Sequence, residues 1–142
     1  MNNAIAVLGC GWLGIPLSKA LINLGYIVHG STQSQAKIPQ LEAVGIIPFV
    51  IQLNETKTEG DIEAFLKNCN TVIINIPPGL RQNPESNYVS KIKSFVNYLP
   101  NSCVSKILFV SSTSVFQDTT FILPRKNNKN KKILFLGRRS KL

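Results

Sequence analysis

Apolar positions along this chain come in short runs that alternate with stretches of three- and four-residue spacing, and the two rhythms predict strands and helices in turn. Ala4 to Leu8 is an unbroken apolar run ended by Gly9, the mark of a strand buried on both faces. Beyond it, Leu13, Leu17, Ala20, Leu21 and Leu24 recur at helical steps and predict one apolar face before Gly25 stops the helix. The alternation continues with a strand over Tyr26 to Ser31, a short helix over Lys37 to Val44 and a β-branched strand over Ile46 to Gln52. A helix over Asp61 to Lys67 then turns Ile62, Phe65 and Leu66 inward, and Thr71 to Ile76 forms a fourth strand ended by Pro77-Pro78-Gly79. A helix over Ser86 to Tyr98 is expected to bury Val89, Ile92, Phe95, Val96 and Leu99, and Lys106 to Val110 reads as a fifth strand.

Strands alternating with helices, and apolar on both faces, predict an α/β fold with a doubly wound parallel sheet. Right-handed crossovers favour the strand order 3-2-1-4-5, which reverses direction between the first and fourth strands. Ligands bind outside the carboxyl ends at such a reversal. Gly9, Ser31, Thr32, Ile76, Pro77, Ser111 and Ser112 all fall at predicted carboxyl ends.

Composition narrows the reading. With 44% hydrophobic and 16% charged residues, 142 residues suit one packed domain. No apolar run approaches the roughly 20 residues of a membrane span. Met1-Asn2-Asn3 leads straight into a strand without a basic leader, so a cytoplasmic protein with no membrane partner is expected. Cys10, Cys69 and Cys103 are odd in number and widely spaced, with only His29 to assist; they read as apolar fillers, with neither a disulfide framework nor a metal site. His29 itself reads as a partly buried strand residue.

The net charge of +9 is lopsided. Residues 1 to 118 hold eight basic and seven acidic groups, a net of +1, whereas residues 119 to 142 hold eight basic groups and no acid. A neutral body argues against nucleic acid as its partner. It also divides the chain into a domain over 1–118 and a basic tail over 119–142.

The chemistry concentrates in Gly9-Cys10-Gly11-Trp12-Leu13-Gly14, where a strand turns into a helix. In this spacing the first glycine allows the bend, the second lets backbone approach a pyrophosphate, and the third lets helix and strand pack closely. The amino terminus of the following helix supplies N–H groups and a positive dipole end, so Gly9, Gly11, Trp12, Leu13 and Gly14 are expected to bind a dinucleotide in a Rossmann arrangement. Trp12 is expected to pack over the first helical turn. About 18 residues beyond Gly14, where an acid would hold the 2′-hydroxyl of NAD, the chain has Ser31-Thr32, with Lys37 close by. That substitution favours NADP, with NAD as the alternative. Arg81 reads as a solvated loop residue.

The fifth strand runs into Ser111-Ser112-Thr113-Ser114-Val115-Phe116-Gln117-Asp118. Together with Gly9 to Gly14, this segment resembles the extended short-chain dehydrogenase/reductases, the NAD-dependent epimerase/dehydratase superfamily, in an atypical branch with GxGWLG and SSTSVYGD-like motifs. The resemblance covers residues 1 to about 118, the amino-terminal NAD(P)-binding part. It implies that Ser112 hydrogen-bonds the reacting substrate oxygen, with Ser111 beside the cofactor, in an oxidoreductase or sugar-nucleotide epimerase. The family's tyrosine and its lysine four residues on are not found after Ser112; the last tyrosine is Tyr98, and Phe116 stands where the motif has tyrosine.

The chain is therefore expected to be a truncated or frameshifted relative with little catalysis, ending before the catalytic helix and the substrate subdomain. The alternatives are a cofactor-binding or regulatory module completed by another chain, a shortened protein whose basic tail binds an acidic surface or nucleic acid, and a fragment of a two-domain dehydrogenase.

Overall fold

The computed structural model describes residues 3–77 and 84–110, together with the backbone of residues 133–136. Its strands are β1 (Ala4–Leu8), β2 (Ile27–Thr32), β3 (Ile47–Val50), β4 (Gln52–Leu53), β5 (Thr58–Glu59), β6 (Cys69–Ile74), β7 (Lys106–Val110) and β8 (Ile133–Leu136). Its helices are α1 (Gly14–Asn23), α2 (Ile38–Ala43), α3 (Ile62–Leu66) and α4 (Tyr88–Val96). The main sheet is parallel in the order β3-β2-β1-β6-β7-β8. Its first five positions reproduce the expected 3-2-1-4-5 order, with β6 and β7 as the fourth and fifth predicted strands. In the basic tail, Ile133–Leu136 pairs with Ile107 to Val110 as a further parallel strand. No helix among the described residues is long and apolar enough to cross a membrane.

β1 shows why its sequence is wholly apolar. Ala4, Ala6 and Leu8 face a core with Phe65, Leu66, Val72 and Phe95, while Ile5 and Val7 face a second core with Val28, Leu41 and Ile73. Phe65 and Phe95 are fully buried and meet edge to face, with centroids 6.3 Å apart. Helix α3 starts where Asp61 accepts the Ala64 N–H at 2.9 Å, and α4 where Asn87 accepts the Ser90 N–H at 3.0 Å. Helix α1 ends as Gly25 enters the left-handed region; its N–H meets the Ile22 carbonyl and the Tyr26 N–H that of Leu21, a Schellman closure.

Several predicted positions shift. In α1, Ile15, Leu17, Leu21 and Ile22 pack inward and Gly14 and Ser18 are buried, but Ala20 faces out and Leu24, beyond the last turn, is 73% exposed. In α4 the inward positions are Tyr88, Ile92 and Phe95, continued by Leu99, so Val89 and Val96 fall on the outer side and Val89 is 59% exposed. The strand expected over Ile46 to Gln52 divides: β3 joins the sheet, and Gln52–Leu53 turns into a small antiparallel hairpin with Thr58–Glu59 that the pattern did not predict.

Candidate functional site

The carboxyl ends of β1, β2 and β6 meet at one edge of the sheet, and hydrogen bonds there tie three distant segments together. The Gly9 N–H donates to Ser31 Oγ at 2.8 Å, and the Cys10 N–H to the Ser31 carbonyl at 2.8 Å. From the other side the Asn75 N–H donates to the Leu8 carbonyl at 2.8 Å, and Asn75 Nδ2 to the Gly9 carbonyl at 3.2 Å. The buried Ser31 is thus a strut for the glycine loop. Asn75 is the matching strut. The sequence reading missed it, although a lone polar residue closing the run Val72-Ile73-Ile74 was a signal.

The three glycines have different reasons. Gly9 has φ +100°, and a Cβ there would lie 2.3 Å from the Asn75 carbonyl oxygen and 2.9 Å from Ile76 Cδ1. A Cβ on Gly14 would lie 2.2 Å from the Gly9 carbonyl oxygen, so the close approach of α1 to the loop permits only glycine. At Gly11 a Cβ would meet nothing within 4 Å, and its φ lies outside the left-handed region. The protein's own packing makes no demand for glycine at this exposed position.

Leu13 stands at the N-cap of α1 without a side-chain cap, and the first turn carries no acid. The positive end of the helix therefore faces the crevice without a side-chain acceptor. Ser18 Oγ donates to the Gly14 carbonyl at 2.7 Å and pins the first turn from inside. Cys10 is buried behind the loop, and burial pushes its thiol pKa up, so it stays a neutral filler.

At the end of β2, Thr32 is buried and forms a local turn: its Oγ1 accepts the Ser34 N–H at 3.2 Å. Lys37 is exposed and, with Cys10, Gly11, Trp12, Ile15, Pro16 and Gln40, lines a cavity of about 320 Å³. Trp12 is 76% exposed and borders this cavity together with Ile15 and Pro16 of the first helical turn. At the end of β6, Ile76 is half-buried and Pro77 exposed. Pro78, Gly79, Arg81, Ser111 and Ser112 lie outside the described residues; β7, which leads to the two serines, ends at this same edge.

His29 is structural, half-buried with Nδ1–H donating to the Phe65 carbonyl at 2.8 Å and its ring against Phe49. Cys69 is buried beside it, and burial pushes its thiol up to about 11. Among the described residues, no group of three His, Cys, Asp or Glu is arranged to hold a metal. A larger groove of about 1080 Å³ runs past Asp61, Lys67, Ser94 and Cys103 and shares no residue with the glycine loop.

No family profile matches the chain. The protein YeeZ of Escherichia coli K12 is 27% identical over 115 residues, which are 80% of this chain and 42% of YeeZ. The chain thus spans less than half the length of the curated relatives it matches. Among solved structures, PA4631, a nucleoside-diphosphate-sugar epimerase from Pseudomonas aeruginosa, superposes with a TM-score of 0.61 at 19% identity, covering 91% of this chain and 39% of its own. MoeE5, determined with UDP-glucose and NAD, superposes with a TM-score of 0.59 at 20% identity, covering 87% of this chain and 41% of its own. By strand order, glycine turn and these superpositions, the chain has the Rossmann fold on which such epimerases are built.

Proposed function

We propose that this chain binds a nicotinamide dinucleotide across Gly9 to Gly14, prefers NADP to NAD, and turns over little substrate by itself. The observation that carries the reading is Gly11: an exposed glycine that neither its own backbone angle nor its neighbours require, set before an uncapped helix amino terminus. A ligand that needs close backbone approach supplies the missing reason, and a pyrophosphate does so with charge that the helix end favours. MoeE5, determined with NAD on the same fold, supports this choice of ligand.

The NADP preference rests on Thr32 in place of an acid and on Lys37, whose side chain borders the cavity beside Gly11. A 2′-phosphate there gains a charge-assisted contact and meets no carboxylate. Cofactor residues in this reading are Gly9, Gly11, Trp12, Leu13, Gly14, Thr32, Lys37, Ile76, Pro77 and Ser111, with Ser31 bracing the loop.

Ser112 takes the substrate oxygen by the family resemblance. No tyrosine follows Ser112 within these 142 residues, so these residues taken alone should turn over substrate about two to four orders of magnitude more slowly than with a tyrosine acid/base supplied. The test is titration with NADP and NAD, followed by a turnover assay with nucleotide-sugar and alcohol substrates. Binding with NADP the tighter and negligible turnover are expected. Tighter NAD binding rejects the preference, and ready turnover rejects the inactive reading.

A further inference from the structure

The wall of the crevice opposite the glycine loop is the exit of β6, and its sequence weakens its own backbone. Pro77 and Pro78 carry no N–H, so two consecutive residues cannot donate main-chain hydrogen bonds to hold the segment. The β1–β6 ladder gives out at Asn75, whose N–H meets the Leu8 carbonyl. Immediately beyond, Tyr88 on the first turn of α4 donates its hydroxyl to the Ile76 carbonyl at 2.6 Å. Ile76 in turn places Cδ1 so near Gly9 that an added Cβ would sit 2.9 Å from it.

Tyr88 is itself held from three directions. Asn87 caps the helix through Ser90 and donates its own N–H to Glu55 Oε1 of the β4–β5 turn at 2.6 Å. Farther along α4, Ser94 Oγ lies 2.9 Å from Thr58 Oγ1 on β5. The Tyr88 ring also meets the ring of Phe109 on β7 edge to face, with centroids 6.4 Å apart. Burial raises its phenol pKa, so the hydroxyl stays protonated and remains a donor.

We propose that Tyr88 is a positioning residue for the cofactor: its hydroxyl fixes the Ile76 carbonyl and so holds the Ile76–Pro77 wall against Gly9, a job the paired prolines leave to a side chain from α4. This rests on the dinucleotide reading of the glycine loop. It also links β7, the strand leading to Ser112, with the loop that carries the cofactor.

The experiment is a double-mutant cycle on the full chain with Tyr88→Phe and Ile76→Ala, reading the Kd for NADP by calorimetry well below the melting transition. Tyr88→Phe keeps the ring on Phe109 and removes only the donor. It should raise Kd about three- to tenfold, the scale of one hydrogen bond. In the Ile76→Ala background the same change should have a much smaller effect, because the hydrogen bond to the carbonyl remains but the side chain that carries its position to Gly9 is gone. An unchanged Kd in Tyr88→Phe, or full additivity in the double variant, overturns the proposal even where the variants are less stable. A wild-type chain that binds no nicotinamide dinucleotide defeats the underlying reading and this inference with it.

Discussion

Replacing Gly11 and Gly14 separately by alanine should divide ligand binding from folding. At Gly14 the new methyl would sit 2.2 Å from the Gly9 carbonyl oxygen and 3.1 Å from the Gly9 carbonyl carbon, both backbone atoms that cannot swing aside. Restoring an ordinary contact displaces the start of α1 by about 1 Å, and overpacking of this kind costs about 1–3 kcal/mol. For a domain of this size that is a fall in Tm of roughly 3–10 °C. At Gly11 the methyl meets nothing within 4 Å, and stability should stay within about 0.5 kcal/mol of wild type. The same methyl, however, occupies the approach to the backbone, and loss of even one charge-assisted contact to a pyrophosphate is worth about 1.5–3 kcal/mol, or roughly ten- to hundredfold in Kd. Thermal melting followed by circular dichroism and NADP titration on both variants reads the two effects. A Gly11→Ala protein that melts normally and binds as wild type would refute the reasoning, since Gly11 would then be open for no ligand's sake.

The remaining predictions concern the struts, the selectivity and pH. Ser31→Ala leaves the part-buried Gly9 N–H without its acceptor, so stability should fall by about 1–2 kcal/mol in urea unfolding and NADP binding should weaken with it. Lys37→Ala should weaken NADP about three- to tenfold while leaving NAD nearly unchanged, and the difference should shrink in high salt; equal losses for both cofactors would remove Lys37 from the 2′-phosphate site. Cys69 has its thiol pushed from 9.0 to about 11 on folding, so the folded state keeps a proton that the unfolded chain releases. That contribution is fully present below pH 9 and lost as pH rises through 11. Urea midpoints should accordingly decline across this window, and Cys69→Ala should flatten part of the decline.

The order of the sheet was legible because burial on both faces makes β1 and β6 continuous in apolar residues, and the position of the glycine turn follows from where β1 stops. Helix faces were less legible. In α4 the apolar residues Val89 and Val96 competed with Tyr88 for the inward side, and Tyr88 took it because its ring meets Phe109 and its hydroxyl finds the Ile76 carbonyl. The β4–β5 hairpin escaped notice because two-residue strands have no periodicity to read. Within the site, Gly9, Gly11 and Gly14 carried their signal in spacing. Ser31 also braces the loop by accepting the Gly9 N–H, a contact across 22 residues that spacing alone does not encode. Asn75 and Tyr88 act through single tertiary hydrogen bonds, over 66 and 12 residues, which no local pattern encodes.

The most direct test of the account is isothermal titration of the purified chain with NADP and NAD at low ionic strength. Saturable one-to-one binding of both, with NADP about three- to tenfold tighter, is the predicted result. No heat of binding for either cofactor from a chain shown by circular dichroism to be folded would contradict the central claim that Gly9 to Gly14 cradles a dinucleotide pyrophosphate.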